Sequence, residues 1–296
     1  MTLPRHITPD RFHMITRRCF QGLFLLRPDD DTNNAFAYCL GEAALEFQIE
    51  IIISQTLSNH HHTVIYDRHG KVIEFVERFH CLLARSQNAL RGRPDYFWTS
   101  GQVSIVELAD RGAIIDKIVY AATNPVKDQL VTRVHHWPGF NGWTVLNRQQ
   151  PVTATRPRHF FRADGPMPES VTFSFTIPPE LGATAVVLEE LRARVREVEA
   201  MAEQARSPGR RVLGRRRILR QQWRSAPATP LPLGKMRPRV AARDPEVRVA
   251  VLERNRVFLI EYRRARAAWL AKEPIPFPVG TYWLERHMKV PIAASV

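Results

Sequence analysis

Two short stretches of this chain carry side chains suited to chemistry on a charged substrate. The first is Asn59-His60-His61-His62. Residues two apart on a strand face the same way, so His60 and His62 would present two imidazoles side by side, a ready pair of ligands for a divalent metal. Asn59, at the turn before them, is placed to orient the first ring. The second stretch is DKIVYAATNPV, in which Tyr120 and Asn124 stand four apart. On a helix they share a face, so Tyr120 can offer a nucleophilic hydroxyl while the Asn124 carboxamide oxygen completes a metal site. Each part also has a plainer reading. A histidine run can be a surface cluster, and Tyr120 among apolar neighbours can be a core residue. Asn124 before Pro125 can be the N-cap of a new helix, and a residue before proline resists the helical conformation.

The elements that must position these residues are legible in the first 140 positions. Phe12 to Cys19 reads as a strand. Asp29-Asp30-Asp31-Thr32 offers caps for a helix reaching about Phe47, with Phe36, Cys39, Leu40 and Ala44 on one face. Gln48 to Leu57 and His60 to Asp67 read as two strands joined by a tight turn. Val72 to Leu90 has helical periodicity and is stopped by Gly92. Val103 to Leu108 is a short strand, and Asp110 to about Thr123 a helix that Asn124-Pro125 ends or restarts. The order β-α-β-β-α-β-α predicts an α+β fold, the ferredoxin-like split βαβ arrangement with an added terminal helix.

From residue 141 onward the pattern changes. It holds a strand from Val171 to Ile177, helices from about Thr184 to Ala205 and Pro245 to Ala271, and a proline-punctuated end. This second region, 141–296, is expected to be mostly helical and basic. The formal net charge is +14 with a pI near 10.5, which predicts attraction to a polyanion. From Arg206 to Arg243 the chain has twelve Lys or Arg residues and no Asp or Glu. Within that run Arg210, Arg211, Arg215, Arg216, Arg217, Arg220 and Arg224 surround Trp223, a composition that neutralises phosphates and offers a stacking ring, or else forms a solvated linker. No stretch approaches the roughly 18 consecutive apolar residues of a membrane span, and MTLPRHITPDRFHMITRR has no apolar signal-peptide core, so a cytoplasmic, nucleoid-associated protein is expected. Cys19, Cys39 and Cys81 stand far apart and read as free thiols.

The two motifs taken together resemble the REP-associated tyrosine transposases, a branch of the single-tyrosine transposases named for a histidine–hydrophobe–histidine (HUH) strand. The resemblance rests on the histidine pair at 60 and 62 and on Tyr120-Ala-Ala-Thr-Asn124-Pro125-Val126. Trp98 after the helix ending at Gly92, and Trp137-Pro138 after the second motif, also fit. It covers roughly residues 5–140 and implies an HUH nuclease domain over 1–140. Two departures stand out. The middle position, normally a bulky apolar residue, is His61, which would point to the core side, and the basic second half has no counterpart in compact members.

The resemblance implies His60 and His62 as metal ligands, Tyr120 as nucleophile and Asn124 as candidate third ligand. It implies a Mg2+ or Mn2+ cofactor and cleavage of single-stranded, hairpin-bearing DNA through a 5′-phosphotyrosine, with strand transfer to follow. Arg17, Arg18, Arg215 and Arg217 are expected to contact the DNA backbone, and a homodimer is possible. The alternatives are a catalytically silent descendant that binds hairpin DNA or RNA as a regulator, and an unrelated basic scaffold.

Overall fold

The computed structural model describes residues 4–101, 103–228, 238–273 and 275–294; part of the basic run, 229–237, lies outside the described residues. The chain forms the α+β fold expected. Strands β1 (Arg11–Arg18), β2 (Glu50–Leu57), β3 (His60–Asp67) and β4 (Ser104–Leu108) alternate with helices α1 (Asp30–Phe47), α2 (Val72–Arg91) and α3 (Arg111–Lys127). The sheet order β2-β3-β1-β4 is that of the ferredoxin-like βαββαβ unit, antiparallel throughout these four strands. A two-residue strand, β7 (Val240–Ala241), joins the β4 edge in parallel.

Local chemistry sets most of these limits. Asp29 caps α1 by accepting the Thr32 amide at 2.7 Å, and Gln48 ends the helix in the left-handed region, so β2 starts two residues later than the apolar pattern suggests. Gly92, at φ 60°, closes α2. The β2–β3 hairpin turns through Ser58 and Asn59, with Leu57 opposite His60, and a bulge lies between Ile51 and Ile53. The reading of Asn124-Pro125 as a helix boundary is corrected: α3 runs through Pro125 to Lys127, and Asn124 is an interior helical residue. Pro125 cannot donate to the carbonyl one turn earlier, but bonding resumes beyond it, the Asn124 and Pro125 carbonyls accepting from the amides of Asp128 and Leu130.

The two faces of the sheet are covered differently. Helices α1 and α2 pack on one face, where Phe36 and Phe79 lie 5.7 and 5.4 Å, ring to ring, from His61. Helix α3 packs across β2, β3 and β4 on the other. Beyond residue 140 come α4 (Gly142–Arg148), a β5–β6 hairpin (Val152–Thr155, Ser170–Phe173), α5 (Thr184–Gln204), α6 (Arg215–Leu219), α7 (Pro245–Leu270) and α8 (Trp283–Met288). The region is mainly helical, and it includes strand β5, which the apolar pattern did not reveal. One buried apolar cluster contains residues from both sides of residue 140, Ile115 and Ile118 of α3 together with Leu188 and Leu191 of α5. Glycine at 142 is required sterically, because a Cβ there would meet the Ser54 backbone. Cys19, Cys39 and Cys81 are free thiols.

His61 is fully buried and satisfied on the α1–α2 face. Arg17 can only donate, so its contact with His80 Nδ1 at 3.1 Å places the His80 proton on Nε2. That proton goes to His61 Nε2 at 2.8 Å, and His61 Nδ1 then donates to Thr63 Oγ1 at 3.0 Å. Burial holds the His61 pKa down to about 3 and that of His80 well below the ordinary value. Both rings are thus neutral when folded, while the unfolded chain takes up protons below about pH 6.5. Their stabilising contribution is complete above that pH and declines as pH falls toward the folded values. Thermal melts should therefore give a Tm that drops progressively from about pH 7 to about pH 4. The His61→Ile variant, which strands the His80 Nε2 proton, should lose about 1–3 kcal/mol at neutral pH.

Candidate active site

The pleat of β3 sends His60 and His62 to the face opposite His61, and α3 brings Tyr120 over that face. The two imidazoles stand 4.9 Å apart, centroid to centroid, at 81°. The Tyr120 ring meets His62 edge-on at 5.1 Å, and Tyr120 is 37% exposed, so its ring is anchored while the residue remains reachable. Asn124, one helical turn on, is buried, and its Nδ2 faces His62 Nε2 at 3.3 Å. All four sequence-predicted residues thus come together.

Hydrogen bonding fixes the state of each ring. The Asn124 amide donates to His62 Nε2, so the His62 proton sits on Nδ1 and goes to Thr16 Oγ1 at 2.9 Å. Asn59 Oδ1, 2.7 Å from His60 Nδ1, accepts that ring's proton, as its position at the turn suggested. Both Nε2 atoms are therefore unprotonated, and that of His62 accepts from the Asn124 amide. Burial, with Arg18 adding to it, lowers the His60 pKa to about 3; burial and neighbouring cations hold His62 well below the ordinary value. Neutral imidazoles with Nδ1 tied back are the form in which histidine binds metals. Among the described residues no group of three or more His, Cys, Asp or Glu could hold a metal. A carboxamide stands ready as a third donor, since Asn124 Oδ1 is buried without a hydrogen-bond partner.

Several contributors were not read from the sequence. Thr16 lies opposite His62 in the β1–β3 register, which no local spacing reveals, and the same register sets Arg18, expected from the sequence as a backbone contact, opposite His60. The ammonium groups of Lys117 and Lys127 lie 5.6 and 5.3 Å from the Tyr120 ring centroid. Lys117, Lys127 and Asp128 stand three, seven and eight residues from Tyr120 along α3 and its C-cap, so helical periodicity could have found them. The expected role of Arg17 is corrected. Its guanidinium bonds to His80 and lies 5.3 Å from the Trp98 ring, on the face away from the site, because it alternates with Thr16 and Arg18 along the strand.

The described part of the basic run is docked beside this site. The amides of Leu213 and Gly214 donate to the carbonyls of Gln129 and Leu130, just past α3. Ile218 is fully buried in the main core. Ser58 Oγ, in the β2–β3 turn, donates to Gln221 Oε1 at 2.7 Å, and the Phe24 amide donates to Ser225 O at 2.8 Å. This strap runs from the end of α3 to the turn preceding His60, with Arg215, Arg216, Arg217, Arg220 and Arg224 exposed along it.

Burial raises the Tyr120 pKa above its ordinary value and Asp128 adds to the rise, while Arg18 and the Asn124 hydrogen bond oppose it. The phenol is therefore protonated at neutral pH. NMR of ring-labelled tyrosine should find the Tyr120 resonance titrating above about pH 10. It should titrate lower in Asp128→Asn and higher in Arg18→Ala; the reverse order would contradict this electrostatic balance.

Comparison with known proteins found no matching family model and no matching curated protein. Among solved structures, the chain is similar to a REP-associated tyrosine transposase bound to a REP hairpin, at 14% identity and a TM-score of 0.40, over 47% of this chain and 81% of that one.

Proposed function

We propose that this protein cleaves and rejoins single-stranded DNA with Tyr120 as the nucleophile. The observation that carries the reading is the reachable Tyr120 phenol set edge-on against His62, beside a second neutral imidazole. A core tyrosine would have no need of two unprotonated Nε2 atoms and two flanking ammonium groups. In this reading residues 1–140 are the nuclease unit, and 141–296 add DNA contacts.

Tyr120 Oη attacks the phosphorus of a phosphodiester in line. The P–O bond to tyrosine forms as the P–O3′ bond breaks. The phenol proton passes to solvent, and the departing 3′-oxygen takes one up, leaving a 5′-phosphotyrosine and a free 3′-hydroxyl. Attack by a second 3′-hydroxyl reverses the step on a new strand, and no ATP is needed because one phosphodiester replaces another. Lys117, Lys127 and Arg18 offset the phosphate charge around the phenol. A Mg2+ or Mn2+ ion held by His60 Nε2, His62 Nε2 and Asn124 Oδ1, after rotation of that amide, would supply Lewis-acid polarisation of the phosphoryl oxygens. The exposed arginines of the 213–225 strap suit the backbone of the strand entering from the β2–β3 turn. A base-paired duplex would hide its scissile phosphate from a phenol this close to the helix surface, so a single strand next to a hairpin is the expected substrate.

Incubation with hairpin-bearing single-stranded DNA and Mn2+ should give a protein–DNA adduct stable to denaturant. Tyr120→Phe should abolish it, and His60→Ala or His62→Ala should slow it by about 100-fold or more. Salt-sensitive binding without any adduct would favour the silent regulator instead.

A further inference from the structure

Gln55 is fully buried, at 0% exposure, and neither Oε1 nor Nε2 has a hydrogen-bond partner among the described residues. Leaving such a carboxamide unpaired forfeits its hydration with nothing in return, so a native protein rarely keeps one without a use for it. Its position supplies the use. In the β2–β3 hairpin Gln55 lies directly opposite His62. Directly opposed residues of an antiparallel pair share a face, with Cβ atoms about 4.5–5.5 Å apart. Gln55 is thus on the face that carries His60 and His62, beneath α3, which packs against β2 and β3 alike. The second orphan on this face is Asn124 Oδ1, whose amide nitrogen already touches His62. Two carboxamide oxygens without a partner, Gln55 Oε1 and Asn124 Oδ1, therefore come from different elements to the face of one imidazole.

The backbone holds Gln55 in place on its other side. It forms an isolated bridge with Asn141, and the adjacent Thr56 amide donates to Phe140 O at 3.2 Å. The close approach of Gly142 to Ser54 seals the same edge. The strand is clamped at the point where the unpaired side chain projects.

We propose that Gln55 is a further ligand of the divalent cation, its Oε1 joining the two Nε2 atoms and Asn124 Oδ1 in a mixed nitrogen–oxygen set. This rests on the metal site of the preceding reading. Two imidazoles and two neutral carboxamide oxygens bring no negative charge, which suits a cation that must also accept an anionic phosphate. Such a set binds Mn2+ more readily than Mg2+, since imidazole nitrogen favours the softer ion.

The test is titration of the full chain with Mn2+ alone, following free Mn2+ by electron paramagnetic resonance and folding by Tm. Gln55→Ala should weaken Mn2+ binding by about 10-fold or more. Gln55→Met, which keeps the volume, should do the same while holding or raising the Tm, so lost binding cannot be assigned to unfolding. Gln55→Glu should bind Mn2+ more tightly and show a larger rise in Tm when it is added. If Gln55→Met binds Mn2+ as the parent does while a His60→Ala/His62→Ala variant does not, the Gln55 assignment is wrong and the metal site stands. If the parent binds no Mn2+, or the double histidine variant binds equally well, both are wrong.

Discussion

The edge contact between the Tyr120 ring and His62 is the interaction on which the site depends. It joins the last helix of the ferredoxin-like unit to an interior strand, and it works because His62 cannot turn. Thr16 from β1 takes the Nδ1 proton, and Asn124 from α3 approaches Nε2. Two elements far apart in sequence, β1 and α3, thus converge on one five-membered ring of β3. That convergence fixes its tautomer and leaves its lone pair pointing toward the phenol side of the sheet.

The same strand shows how the pleat divides labour among three consecutive histidines. His60 and His62 face α3 and stay available, whereas His61 is spent on a buried chain that runs from Arg17 through His80 to Thr63. An apolar residue at position 61 would pack against Phe36 and Phe79 without such help. With histidine there, the sequence must also supply His80 and Arg17, and it does. Arg17 is thereby tied, half-buried, to the α2 side of the sheet, while its neighbour Arg18 remains exposed opposite His60.

Much of this was legible in the sequence because it depends on short periods. The two-residue repeat of His60 and His62, the four-residue step from Tyr120 to Asn124 and the alternation of strands with helices are all local signals. The helix through Pro125 was not legible. Local preference argues for a break there, and the observed packing of α3 on the sheet and on α5 overrides it. Thr16 and Gln55 are set by strand register, which only the assembled sheet defines. The docking of the basic run beside the site rests on backbone bonds to Gln129, Leu130 and Phe24, which leave no mark on composition. Strand β7 is two residues long, too short for any alternation to show.

The site depends on two neutral imidazoles with unprotonated Nε2 atoms beside a phenol. Nitrogen-15 NMR of the histidine rings at neutral pH reads this directly, since ring-nitrogen shifts separate the two tautomers from the imidazolium. His60 and His62 should both be neutral with the proton on Nδ1, and His80 should be neutral with the proton on Nε2. Finding the proton of His60 or His62 on Nε2, or either ring as an imidazolium, would contradict the site described here.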